Sequence, residues 1–356
     1  MNRHPAGTLA LFLFFASTLS AADFGTVPDP YVGNWSGTLS AHGREEPIHA
    51  TIIAYKSRYE ITLRTEPNPR KEALVILGGT IHANQLLLDP ALSRPQSQGR
   101  VGSGRSAAAE GVRWQGQANS QDLTGTFAGP ATGSFALKKI PLLPSPTLGA
   151  EAPAGAEVLL AGSNLNAWES RRASAEPIQW SITKSGALEV VSESAGIRNK
   201  QDLKTKGSFV DYRLHLEFKL AHKPEATGQG RSNSGVIHLG QYETQILDSF
   251  GLYGRDNDCG GIYKIREPDS NAAYPAGLWQ TYDFDFTAPR FDAAGTKTAD
   301  ARITVRLNGI LVHRDVAIPK PTAGGKETAR GPIVLQDHGN PVQFRNIWVV
   351  RMNEKE

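Results

Sequence analysis

The sequence predicts an all-β protein built from two domains. Three observations carry this reading. Short β-prone runs recur at regular spacing, with Gly, Pro, Asn and Asp between them. Residues 209–220 are the cleanest alternating run of the chain, with Tyr212, Leu214, Leu216, Phe218 and Leu220 separated by polar residues. No stretch after residue 22 has the length and period of a long helix.

The chain has 356 residues, enough for two ordinary domains. Charged residues make up 21% and nearly balance, with a formal net charge of +3. Nothing in that balance favours a nucleic-acid or acidic-polymer partner. Residues 1–22 read as a secretory signal peptide. Arg3 supplies the positive start, and Leu9 to Leu19 is apolar apart from Ser17 and Thr18. That run is too short to span a bilayer, and no later run is apolar enough. Ser20, Ala21 and Ala22 are small, which places the mature start at Asp23 and the protein outside the cytoplasm, secreted or periplasmic.

Residues 23–139 are expected to form a small β-barrel or β-sandwich domain. Its strands are read at Tyr31–Leu39, His49–Ala54, Tyr59–Leu63, Ala73–Leu77, Gln85–Leu88, Val112–Gly116, Asp122–Phe127 and Gly133–Leu137. The segment 93–111 is rich in Ser, Gly, Arg and Ala and reads as a mobile loop. Its glycines lack the Gly-Lys-Ser/Thr of a phosphate loop. Residues 140–155 (IPLLPSPTLGAEAPAG) are Pro-rich and read as a semi-rigid extended linker.

The second domain, 156–356, begins with Val158-Leu159-Leu160. Gln179–Ile182 and Ala187–Val191 suggest a strand pair around Lys184-Ser185-Gly186. In 209–220, Tyr212, Leu214, Leu216, Phe218 and Leu220 share one face, which should pack a core. Arg213, His215, Glu217 and Lys219 share the other, left for solvent or ligand. Further strands are read at Leu278–Phe286, Ala301–Leu307 and Val342–Met352, and Asn308-Gly309 predicts a type I′ turn into Ile310–His313. Cys259, the single cysteine, can form neither an internal disulfide nor a Cys-rich zinc site, and is expected to be buried.

The densest set of polar groups in a strand context runs from Ser232 to Tyr263. Gly240 separates Val236–Leu239 from Tyr242–Asp248, which predicts a hairpin or two adjacent strands. Glu243, Gln245 and Leu247 then share one face, and Tyr242, Thr244 and Ile246 the other. A carboxylate and an amide two residues apart on a strand face suit sugar hydroxyls; they also suit an ordinary solvated sheet face.

Five motifs resemble the 3-keto-disaccharide hydrolase domain family: NSGV at 233–236, YETQILD at 242–248, QTYDF at 280–284, LNG at 307–309 and GPIVLQDHGNPVQFRNIWV at 331–349. The likeness covers about 156–352, in order. It implies a concanavalin A-like jelly roll and action on glycosides whose sugar carries a ketone at C3. It also leads one to expect, in relatives, a second cysteine near Asn271–Tyr274, where this chain has none.

The resemblance carries over to Arg231, Asn233, Ser234, Glu243, Gln245, Asp248, Gln336, His338 and Arg345 as site residues; the polarity of the strands adds Glu217, and Trp279, Tyr253 and Tyr263 are the aromatic candidates. An ordinary glycosidase needs two carboxylates flanking the bond, for which Glu217 with Glu243 or Asp248 would serve. A 3-keto sugar opens a second route. Its C2 hydrogen is acidic, so a base can remove it, the C1 substituent leaves, and water adds back. On that route Glu243 or His338 is the base, and Arg231 or Arg345 polarises the ketone. No cofactor is certain; a divalent cation such as Mn or Zn on Glu243, Asp248 and His338 is the other means of polarising the ketone. The expected partner is a glycoside or oligosaccharide. The alternative is a lectin-like module that binds glycans without turnover.

Overall fold

The computed structural model describes residues 24–89, 111–173, 176–191 and 200–352. The leader at 1–22 and nearly all of the 93–111 segment lie outside the described residues. Eight antiparallel strands close into a barrel: Gly33–Ala41, Arg44–Tyr55, Arg58–Arg64, Val75–His82, Gln85–Asp89, Arg113–Ala118, Asp122–Ala128 and Gly133–Lys139, the first pairing with the last. Closure removes the free edges. The interior is filled by Trp35, Ile48, Ile52, Ile61, Leu77, Trp114, Phe127 and Phe135. Several outer strand positions are wet, as in Gln85–Asp89, where buried and exposed residues alternate.

The second body is the two-sheet sandwich that the resemblance implies. One sheet has five strands in the spatial order Trp168–Ser170, Leu203–Thr205, Val334–Leu335, Ser234–His238, Tyr242–Ile246. The other runs Ser181–Ile182, Leu188–Glu189, Gln343–Met352, Asp211–Lys219, Trp279–Thr287, Ala301–Leu307, Ile310–Ile318, with Glu157–Leu160 pairing onto Gln343–Met352. Tyr212, Leu214, Leu216, Phe218 and Leu220 meet Val236, Tyr242, Ile246 and Leu335 of the five-stranded sheet in one core. The turn at Asn308 (φ +53) and Gly309 (φ +78) has both central residues left-handed, as a type I′ turn requires. Cys259 is buried, with Sγ 3.4 Å from the Tyr282 hydroxyl.

The polar face of Asp211–Lys219 departs from expectation. His215 and Glu217 are not left for solvent or ligand; both are fully buried. Residues 140–155 lie across that face and cover them. Ser145 Oγ meets Thr281 Oγ1 at 2.6 Å, and Thr147 donates to Asp283 at 2.6 Å. The Gly149 N–H donates to Glu217 Oε1 at 2.6 Å, and Asn346 and Trp348 both donate to the Ala150 carbonyl. A Pro-rich segment has few hydrogen-bond partners of its own, so the sheet supplies them.

Burial alone would raise the Glu217 pKa. His215 at 3.8 Å, the Asn346 amide and the Arg345 guanidinium at 2.6 Å overcome that and hold it down to about 2. A carboxyl with an ordinary unfolded value near ~4.3 therefore stabilises the fold above that pH. The contribution fades as pH falls toward the folded value and amounts to roughly 2–3 kcal/mol. Thermal midpoints measured across this acid window should fall less steeply in Glu217→Gln than in the parent. Parallel curves would show that the pair does not drive acid unfolding.

Candidate active site

The outward face of the five-stranded sheet collects polar groups that the strand period places together. Val236, Tyr242 and Ile246 point into the core, so Asn233, Gly235, Ile237, Glu243 and Gln245 take the other face. Leu203 and Leu335 also face the core, which sends Asp202 and Gln336 outward beside them. Ser234–His238 and Tyr242–Ile246 form the expected hairpin, with Ile237 opposite Glu243 and Gly235 opposite Gln245. Leu239 (φ +52) and Gly240 (φ +68) make its turn.

Glu243 sits at the centre, 5% exposed. Its Oε1 accepts from Gln336 Nε2 at 3.2 Å. Burial pushes its pKa up to about 7; the Asp202 charge adds to the rise, while the Gln336 hydrogen bond, Lys264 and Arg171 pull it back. A carboxyl that titrates near neutrality is suited to take a proton at physiological pH. Asp202 is itself held: it pairs with Arg171 at 3.0 Å and accepts the Asp337 N–H at 2.9 Å.

The floor beside Glu243 is a set of locked amides. Gln229 Oε1 accepts from Asn233 Nδ2 and Gln245 Nε2, both at 2.9 Å. The Asn257 carbonyl accepts from Gln229 Nε2 at 2.9 Å and Gln245 Nε2 at 3.3 Å. Two buried acceptors in this group, Asn233 Oδ1 and Gln336 Oε1, have no hydrogen-bond partner among the described residues. Buried acceptors are nearly always satisfied, so this pair is an exception in the packing around Glu243.

Gly235 makes room for the carboxylate. A Cβ there would lie 2.7 Å from Glu243 Oε1. Gly235→Ala should displace the end of a flexible side chain and leave the backbone in place. We expect a loss of turnover of roughly tenfold or more with an almost unchanged melting temperature. Unchanged turnover would mean that the position of this carboxylate is immaterial.

The free edge of Tyr242–Ile246 is covered by the segment 249–268. The Gln245 N–H donates to Gly261 O at 2.9 Å, and the Tyr263 N–H to Glu243 O at 3.0 Å. The half-buried Tyr263 ring carries the Lys264 ammonium 5.1 Å from its centre, and Lys264 adopts a left-handed backbone (φ +59).

Of the expected residues, the structure thus brings together Glu243, Asn233, Gln245, Gln336 and Tyr263. It places the others elsewhere. Ser234 faces inward and donates to Gln336 O at 2.7 Å. Arg231 is not available to polarise a substrate. Its guanidinium bonds Asp248 Oδ2 at 2.6 Å, the Asp248 carbonyl at 3.1 Å and the barrel's Ala54 carbonyl at 2.7 Å. The pair is buried where barrel meets sandwich, so Asp248 is engaged there too. Glu217, Arg345 and Trp279 belong to the other sheet. Arg345 lies 2.6 Å from Glu217 and stacks 4.1 Å over the Trp279 ring, and Trp279 packs with Phe24 and Leu148 rather than opening to a sugar. The Tyr253 ring is flanked by Arg70 and Arg255. His338 is exposed, two residues beyond Gln336, and its carbonyl accepts from Asn340. Glu243, Asp248 and His338 do not gather; no group of three His, Cys, Asp or Glu side chains able to hold a metal occurs among the described residues.

Gln229, Asp202, Lys264 and the Asn257 carbonyl were missed from sequence. Gln229 lies in a polar loop between two glycines, in a short 3-10 turn, and nothing local marks it. Asp202 is far from Glu243 in sequence and reaches it only through sheet order.

Comparison with known proteins bears on the same half of the chain. Residues 155–350, more than half of the sequence, match the family described as the 3-keto-alpha-glucoside-1,2-lyase-like domain. Among solved structures, a candidate glycosyl hydrolase from Parabacteroides distasonis is 32% identical, covers 60% of this chain and 92% of its own, and superposes with a TM-score of 0.50. A second candidate glycosyl hydrolase from that organism is 16% identical, with 56% and 95% covered and a TM-score of 0.41. A third is 22% identical, with 55% and 99% covered and a TM-score of 0.39. No curated protein matches the chain.

Proposed function

Because this chain belongs to the 3-keto-alpha-glucoside-1,2-lyase-like domain family, we propose that it cleaves 3-keto-glycosides at the outward face of its five-stranded sheet, with Glu243 as the base. One observation carries the reading: a buried carboxyl with a pKa of about 7 lies on the sheet's outward face beside two unpartnered acceptors, Asn233 Oδ1 and Gln336 Oε1. Sugar hydroxyls meet the half-exposed side chains at the rim of this face, Gln336 and Tyr263, and fix the ring. Glu243 takes the proton from C2. The electrons of that C–H bond form the C1–C2 double bond through an enolate on the C3 oxygen, and the C1–O bond breaks with the aglycone leaving as an alcohol after protonation. Water then adds across the double bond, giving the free 3-keto sugar.

Lys264, whose charge reaches Glu243, is the cation we assign to the enolate oxygen. This replaces Arg231 and Arg345, whose guanidinium groups are committed to Asp248 and Glu217. The paired-carboxylate route loses its expected partners for the same reason, since Glu217 is buried on the far side of the other sheet. The same reading includes export, with residues 1–22 as a leader; the N-terminal residue of the protein recovered outside the cytoplasm tests it. No helix among the described residues is long and apolar enough to cross a membrane.

The test is turnover of a 3-keto glucoside and of its unoxidised parent. Aglycone release from the keto form alone is the expected result. Cleavage of both would point to paired carboxylates, and saturable binding without cleavage to a lectin-like module.

A further inference from the structure

We propose that Arg70, a residue of the barrel, is a positioning residue for the Glu243 site, and that the barrel serves as the fixed wall against which the site's covering segment is built. This rests on the reading of that sheet face as the active site. Arg70 lies in the connection between the barrel strands Arg58–Arg64 and Val75–His82. Its guanidinium donates to three carbonyls of the sandwich: Tyr253 at 3.2 Å, Gly254 at 3.1 Å, and Pro268. It also lies 5.0 Å from the Tyr253 ring centre, with Arg255 3.9 Å from the same ring.

Those carbonyls bracket the stretch that reaches the site. Between Gly254 and Pro268 lie Asn257, whose carbonyl holds the Gln229 and Gln245 amides, and Tyr263 and Gly261, which pair with the backbone of Glu243 and Gln245. One side chain from another domain thus ties both ends of the segment. A planar guanidinium with five donors can satisfy three carbonyls at once; an ammonium on a flexible stem cannot hold that geometry. The rest of the seam supports the same segment. Phe250 and Leu252 pack on Val32, Ile53 and Ala54 of the barrel, and a Cβ at Gly251 would come within 2.6 Å of Thr51 Cγ2. The Ser57 N–H also donates to Pro224 O at 3.1 Å, in the loop that leads to Gln229.

The experiment compares the full chain with Arg70→Ala, Arg70→Lys and the surface control Lys71→Ala, by steady-state kinetics and amide hydrogen exchange. In Arg70→Ala, KM for a 3-keto glucoside should rise roughly tenfold while kcat stays within about threefold, because the locked amides lose their register but the base remains. Exchange should quicken at Gln245 and Tyr263 and stay unchanged in the barrel strands. Arg70→Lys should recover part of both effects, and Lys71→Ala should show neither. Unchanged KM with unchanged exchange would overturn the proposal, and so would a lower melting temperature with KM and exchange at the site intact. The exchange readout needs no substrate. Failure of the 3-keto reading would therefore appear as absent turnover in the parent protein, while the coupling of Arg70 to the segment would still be decided.

Discussion

Glu243→Gln should lower kcat on a 3-keto glucoside by about a hundredfold to ten-thousandfold, the range that a positioned general base contributes. Glutamine keeps the shape and can still meet Gln336, so the fold should survive. The sign of the pH dependence follows from the role. A base must be ionised to act, and burial raises this carboxyl to about 7. The rate of the parent should therefore be low in acid, rise with pH through about that value, and level off above it. The residual activity of the variant should lack this limb. A variant with parental turnover would remove Glu243 from the chemistry and leave His338, exposed in the loop after Val334–Leu335, as the base to be tested next.

Asp248→Ala should be the most destabilising of the substitutions considered. It leaves the Arg231 guanidinium, 9% exposed in its side chain, without its counter-charge at the seam between the two domains. Removing one partner of a buried pair costs about 3–5 kcal/mol, because the remaining charge is stranded rather than solvated. The expected drop in melting temperature is on the order of 10 °C. Replacing both partners with apolar residues of similar size should recover much of the loss, which a simple count of lost hydrogen bonds would not predict. If Asp248→Ala melts like the parent, water reaches Arg231 and the seam is looser than its packing implies.

Much of the architecture was legible because strand alternation is a local signal. Tyr212, Leu214, Leu216, Phe218 and Leu220 face the core as the pattern requires, and the 234–246 hairpin puts Glu243 and Gln245 on one face. Asn308-Gly309 turns as its residues dictate. The barrel was readable as regular short strands, although closure depends on the pairing of Gly33–Ala41 with Gly133–Lys139, nearly a hundred residues apart. The polar face of Asp211–Lys219 was misread because burial there is imposed by an upstream segment whose N–H groups, carbonyls and hydroxyls find partners on the sheet, with Gly149 lying 68 residues before Glu217. The site was half legible for a similar reason. Charge attracts attention in a sequence, so Arg231, Asp248, Glu217 and Arg345 were natural candidates, yet in the fold they neutralise one another. The groups that shape the floor are amides and main-chain carbonyls, whose roles exist only once sheet order brings Gln229, Asn257 and Gln336 to Glu243.

The central claim is that the C1–O bond breaks by elimination after proton removal at C2. The most direct test is turnover of a 3-keto glucoside in D2O with mass analysis of the sugar product, alongside the free 3-keto sugar incubated alone. Elimination followed by hydration predicts one solvent deuterium fixed on carbon at C2 of the product, and its loss together with turnover in Glu243→Gln. Product that keeps its original C2 hydrogen while the aglycone is released at the full rate would contradict the account and return the reaction to direct hydrolysis.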